Sequence, residues 1–149
     1  MMAKRILVPL DQSQLAEAVL PLVGEGARGG GGTVRLLHVA PVPDNRVDAE
    51  GRVIAWPAQE VTRLEAEGRD YLQTLELQLP GVPVECVVRF GDPVEEILLE
   101  AEVFGADLIV VSTAGRSGIA RAVLGSVAQQ VFGKAKTPVV LFRAGSTAR

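Results

Sequence analysis

The sequence predicts an α/β fold: an open, doubly wound, parallel five-stranded sheet in the order 3-2-1-4-5, with helices on both faces. Three observations carry this. Short runs rich in Val, Leu and Ile alternate with longer amphipathic stretches, giving a βαβαβαβαβ order. The short runs are apolar throughout rather than alternating, as strands covered on both faces are. Parallel crossovers are right-handed, and a doubly wound sheet satisfies that rule. The 149 residues suffice for one domain with its own core, and we read 1–149 as a single domain without internal repeats.

The elements follow in order. Arg5 to Leu10 is the first strand, centred on Ile6-Leu7-Val8. Leu15, Val19, Leu22 and Val23 recur at helical spacing, and Pro21 inside that helix is expected to kink it. The glycine-rich stretch Gly24 to Gly32 is expected to end the helix as a loop. Val34 to Val39 is the second strand. Ala40 to Pro57 holds Pro41, Pro43 and Pro57 without a clear period and reads as a long loop. Val61, Leu64, Tyr71, Leu72, Leu75 and Leu79 share one face of a long helix, weakened at Gly68.

Pro83 to Phe90 is the third strand. Asp92-Pro93-Val94-Glu95 is a helix start, with Asp92 as N-cap, Pro93 at the first helical position and Glu95 closing a capping box. Ile97, Leu98 and Ala101 give that helix its buried face, and Gly105 ends it. Asp107 to Val111 is the fourth strand. Ser126-x-x-Gln129 reads as a second capping box, followed by Val127, Val131 and Phe132. Pro138 to Phe142 is the fifth strand, its proline placed where no central ladder bond is lost.

Composition narrows the functions. Hydrophobic residues make up 48%, which excludes a disordered chain. The net charge of -3 gives no case for nucleic-acid binding. No segment approaches the roughly 18 apolar residues of a membrane span. The single cysteine, Cys86, cannot form an internal disulfide, which fits a reducing compartment. A cytoplasmic protein is the expectation.

The chemistry concentrates after the fourth strand. Ser112-Thr113-Ala114-Gly115 follows the strand, and Gly125-Ser126 opens the next helix. Backbone N–H groups at a strand–loop–helix junction can cradle phosphate oxygens. Gly115 and Gly125 let the backbone approach a phosphate without a Cβ. Ser126 can donate to a phosphate or cap its helix. Arg116 and Arg121 flank the loop, where they either meet phosphates or stay solvated. In the order 3-2-1-4-5 this loop falls on the switch point between strands one and four, where such sheets bind ligands.

Other features carry less. Gly24 to Gly29 matches G-x-G-x-x-G but follows a helix and precedes a strand, the reverse of a dinucleotide site. His38, the only histidine, lacks a nucleophile nearby and reads as structural before catalytic. Cys86 reads as a small core residue. Trp56, in the long loop, is either a lid or sheet packing. Metal-ligand spacing, the Walker pattern and the G-x-S-x-G elbow are absent from the sequence.

The chain resembles the universal stress protein family along almost its whole length. The resemblance rests on Ile6-Leu7-Val8-Pro9-Leu10-Asp11-x-Ser13, Leu37-His38-Val39, Gly91-Asp92-Pro93 and Asp107-Leu108-Ile109-Val110-Val111. The ATP-binding subgroup carries G-x2-G-x9-G-[S/T]; Gly115-x9-Gly125-Ser126 matches it, with Ser112 in place of the first glycine. The resemblance implies the adenine nucleotide alpha hydrolase-like fold. It also implies ATP, AMP or ADP as ligand, with Mg²⁺ carried on the phosphates.

Residue by residue, it implies that Pro9, Leu10, Asp11 and Val39 bracket adenine and ribose. Val111 and Ser112 are then on the ribose side. Gly115, Arg116, Gly125, Ser126 and Val127 are at the phosphates. Asp11 is alternatively an N-cap, a role Ser13 also suits.

The resemblance further implies a homodimer, paired through the exposed edge Val139, Val140, Leu141 and Phe142. The function expected is a small dimeric regulator of the stress response, not an enzyme, with at most slow ATP hydrolysis. The alternative is a nucleotide-free dimeric interaction module of the same family. An adenylate-forming enzyme is disfavoured because no S-G-G-x-D-S loop follows the first strand.

Overall fold

The computed structural model describes residues 3–43, 46–55, 57–113 and 123–143. In chain order the first elements are β1 (Arg5–Pro9), α1 (Gln14–Glu17), α2 (Leu20–Gly30), β2 (Thr33–Ala40), β3 (Arg46–Val47) and β4 (Val53–Ala55). Then come α3 (Pro57–Glu76), β5 (Val84–Phe90), α4 (Pro93–Phe104), β6 (Leu108–Thr113), α5 (Val123–Lys134) and β7 (Val139–Arg143). Five strands form a parallel sheet in the order β5-β2-β1-β6-β7. Counted within that sheet, this is the predicted 3-2-1-4-5. The switch point lies at β1, between β2 and β6.

Register decides which side chains share a face. Leu7 pairs with Arg35 and Ile109, and Ile109 with Val139, so these point the same way. Arg35 stacks 4.1 Å over the Phe104 ring of α4, which identifies that face. By alternation Pro9, Leu37, Val39 and Val111 also face α4 and α5. Ile6, Val8, Leu36, His38, Val110 and Ser112 face the layer of α1, α2 and α3. The core includes Leu7, Val8, Leu36, Leu37, Ile109 and Val111, all fully buried.

An ion-pair cluster fastens α4 to the sheet. The buried Glu100 carboxylate meets Arg35 at 2.5 Å and Arg89 at 2.7 Å. Arg35 continues to Glu85, and Arg89 to Glu96, each at 2.7 Å. Both Glu100 oxygens are paired, as a buried carboxylate requires.

The structure corrects several expectations. Pro21 kinks nothing: one helix ends at Glu17 and another starts at Leu20, with proline in its first turn, where a missing N–H costs no bond. The stretch from Gly24 is not a loop. Helix α2 continues to Gly30, because Gly24, Ala27 and Gly30 are buried and tertiary packing overrides low propensity. The helix ends at Gly31, whose φ of 68° is left-handed and whose N–H reaches the Ala27 carbonyl.

The long loop holds the antiparallel pair β3–β4, joined by a turn in which Asp48 Oδ1 accepts from the N–H groups of Glu50 and Arg52. Such short strands leave no period to read. Helix α3 spans Pro57–Glu76; Leu79 lies beyond it yet is buried, while Val61 is exposed. Phe132 is exposed as well.

Helix α5 starts at Val123, so Ser126 stands inside it and caps nothing. Its hydroxyl instead accepts from the Gln130 amide one turn on, at 3.4 Å. The cap at Asp92 forms as expected, with Oδ2 accepting the Glu95 N–H at 2.9 Å.

Candidate functional site

A cavity of about 180 Å³ opens at the carboxyl ends of β1 and β2. Pro9, Leu10, Asp11 and Val39 line it, with Val127 from α5 opposite. Leu37, His38, Pro93 and Ile97 complete the lining. The floor is apolar because alternation presents Pro9, Leu37 and Val39 to this face. Pro93 and Ile97 come from the first turns of α4, whose start the Asp92 cap fixes.

Asp11 is the carboxylate on this lining. Its Oδ1 accepts from the Ser13 N–H at 3.1 Å and the Ser13 hydroxyl at 2.6 Å. Ser13 in turn caps α1, its Oγ accepting from Ala16 N–H at 3.1 Å. The N-cap role therefore belongs to Ser13, and Asp11 is left at the cavity rim. A carboxylate held this way can accept hydrogen bonds from a ligand's hydroxyl groups.

The remaining predicted residues fall in four places. Val111 is fully buried at the end of β6, on the cavity's face of the sheet. Ser112 is also fully buried, but its side chain lies on the opposite face, paired in register with Phe142. Among the described residues its hydroxyl finds no hydrogen-bond partner. Only the Ser112 backbone is thus available to the switch point. Gly125 and Ser126 lie in the first turns of α5, where free N–H groups concentrate. Gly115, Arg116 and Arg121 lie outside the described residues, as does Trp56.

Three lining residues escaped the sequence reading: Leu37, Pro93 and Ile97. Their signals were the alternation along β2 and the helix start at Asp92. His38 was weighed as a base. Its ring is turned away, under α3, where Nδ1 lies 2.9 Å from the Leu10 carbonyl. Tyr71 packs edge-on at 6.1 Å and donates its hydroxyl to Glu17 Oε2 at 2.6 Å. Burial, together with that carboxylate, holds the Tyr71 phenol well above its ordinary range, so it stays a donor.

A wider cavity of about 530 Å³ lies at the other end of the strands, lined by Ile6, Gly26, Gly29 and Leu108. Ligands of doubly wound sheets bind at carboxyl ends, so the smaller cavity is the candidate site. Among the described residues no group of three His, Cys, Asp or Glu side chains could hold a metal. Among them, too, no helix is long and apolar enough to cross a membrane.

Sheet order and the cavity at the carboxyl ends of β1 and β2 define a doubly wound α/β protein with a candidate ligand site at its strand ends. Comparison with known proteins is more specific. Residues 2–143 match the Universal stress protein family. Universal stress protein MJ0531 of Methanocaldococcus jannaschii is 31% identical over 143 residues, covering 94% of this chain and 82% of its own. The solved structure of MJ0577, from the same organism, superposes with a TM-score of 0.78 at 28% identity, covering 99% of this chain and 100% of the other. A universal stress protein from Archaeoglobus fulgidus, solved in complex with dAMP, is 25% identical with a TM-score of 0.59, covering 95% and 98%. The chain belongs to the universal stress protein family.

Proposed function

We propose that this protein binds an adenine nucleotide, ATP before AMP or ADP, in the cavity at the carboxyl ends of β1 and β2. The observation that carries the reading is the convergence of Pro9, Leu10, Asp11, Val39 and Val127 on one cavity at the carboxyl ends of β1 and β2, beside the switch point. The dAMP complex of the Archaeoglobus fulgidus relative supports the ligand class.

In this reading the adenine lies on the apolar floor of Pro9 and Val39, with Val111 beneath the ribose. Asp11 accepts from the ribose hydroxyls. The phosphates run toward Gly115, Arg116, Gly125 and Ser126, where the α5 N-terminus favours negative charge. The Ser112 backbone passes beside the ribose. Mg²⁺, if carried, rides on the phosphates.

The role is regulatory binding within a cytoplasmic stress response, without rapid turnover. Among the described residues the ionisable side chain facing the cavity is Asp11, already hydrogen-bonded to Ser13, while the His38 ring faces away. A homodimer through β7 accompanies it. β7 is an edge strand, and Val140 and Leu141 are exposed on it.

Calorimetric titration of the purified protein with ATP, ADP and AMP, with and without Mg²⁺, tests the ligand. GTP serves as the control. Saturable heat with adenine nucleotides alone is expected; no heat at submillimolar concentration with any of them rejects the reading. Light scattering on the same samples is expected to give twice the chain mass of 15.7 kDa.

A further inference from the structure

We propose that His38 is a positioning residue for Asp11, acting from the face of the sheet opposite the cavity. The inference rests on the nucleotide reading only in assigning Asp11 its ligand. The geometry around Asp11 forms a closed circuit. Leu10, the residue before it, is tied to β2 by both backbone groups. Its N–H donates to the Leu37 carbonyl at 2.7 Å, and its carbonyl lies 2.9 Å from His38 Nδ1.

A carbonyl only accepts, so Nδ1 carries the proton. Nε2 is then the ring nitrogen placed to accept, 3.4 Å from the Gln12 amide nitrogen. Gln12 itself has φ of 71°, a left-handed conformation costly for a residue with a side chain. The ring thus holds both neighbours of Asp11, the strand end before it and the strained turn after it.

The circuit closes through the helices. Gly68 lets α3 press onto the imidazole: a Cβ there would stand 3.1 Å from His38 Cδ2. Tyr71 packs against the ring's edge and donates to Glu17 of α1. Helix α1 begins at Ser13, whose N–H and hydroxyl hold Asp11 Oδ1. Among the described residues no partner is found for Asp11 Oδ2, the oxygen left to meet a ligand. His38 therefore sets where that oxygen sits without touching the ligand through its ring.

The test uses the full chain and ATP titrations. His38→Phe keeps a flat ring and removes the donor; His38→Asn keeps an N–H near the Nδ1 position. We expect His38→Phe to weaken ATP about tenfold and His38→Asn to stay within threefold of wild type. In an Asp11→Ala background, His38→Phe should cost nothing further, because the two act through one atom. Equal binding by His38→Phe overturns the proposal, and so do losses that multiply in the double variant.

Hydrogen exchange at the Ser13 amide in unliganded protein supplies a second measurement. It should accelerate in His38→Phe, and in His38→Leu should the first variant not fold. Unchanged exchange overturns the proposal. Accelerated exchange in a protein whose wild type gives no ATP heat supports the positioning and removes the nucleotide reading instead.

Discussion

At the carboxyl ends of β1 and β2, the two faces of one sheet have been put to different uses. Toward α4 and α5, Pro9, Leu37 and Val39 form the apolar cavity floor, on which Pro9 and Leu37 are buried and Val39 is half-buried. Toward α1 and α3, Leu36 is fully buried and His38 is wedged beneath Gly68 and Tyr71. The two sets interleave along the same strands. A single step in sequence separates a cavity wall from a packing strut. The same alternation places Ser112 on the packed face and Val111 on the open one. A substitution here should act on binding or on stability according to which face it lands on.

The sharpest way to break that comparison is at two residues of β2, one on each face. Leu36 is fully buried on the packed face. Leu36→Ala deletes buried carbon and leaves a hole that the surrounding strands cannot close. The expected cost is about 3 kcal/mol, lowering Tm by roughly 6–12 °C for a domain of this size. Its ATP affinity, measured well below the melting range, should stay within threefold of wild type. A tenfold loss of affinity would show that the faces are mechanically coupled.

Val39→Asp is the counterpart. Val39 stands at the cavity mouth beside Asp11, and a second carboxylate there would repel both Asp11 and the nucleotide's phosphates. We expect ATP affinity to fall about a hundredfold, equivalent to about 2.7 kcal/mol, with thermal stability changed by under about 1 kcal/mol. Calorimetry and a melting curve on the same preparation separate the two effects. A variant that melts far below wild type would mean that Val39 belongs to the core.

How much of this was legible depends on the range of the interaction concerned. The five sheet strands were readable because each is a local apolar run bounded by turn residues, such as Arg5 to Leu10 before Asp11. Their order, which right-handed crossovers allow but do not fix, was an assumption that the pairing of β1 with β2 and β6 bears out. The path through Gly24 to Gly30 was not readable. Gly24 is held in the helix by packing against Leu79, a residue far along the chain. The start of α5 at Val123 was missed because Ser126 carries the stronger local signal.

At the site, Pro9, Asp11 and Val39 were recognisable as strand ends. The ring position of His38 was not, because it depends on Gly68 and Tyr71 in a helix elsewhere in the sequence. The pairing Ser112–Phe142 is likewise a matter of sheet register, which no single segment encodes.

Ser112 gives the smallest and most discriminating effect. The family's motif has glycine there, and a serine side chain would be expected to crowd a ligand if it faced the cavity. It faces the other way, and among the described residues its buried hydroxyl finds no partner. A buried hydroxyl stripped of water and left unpaired is destabilising by about 1–3 kcal/mol. Ser112→Ala keeps the Cβ and its packing and removes only the oxygen. It should therefore stabilise the fold by about 1 kcal/mol, raising Tm by roughly 2–4 °C, and leave ATP affinity unchanged. The opposite pattern, lost affinity at unchanged Tm, would place the hydroxyl on the ligand.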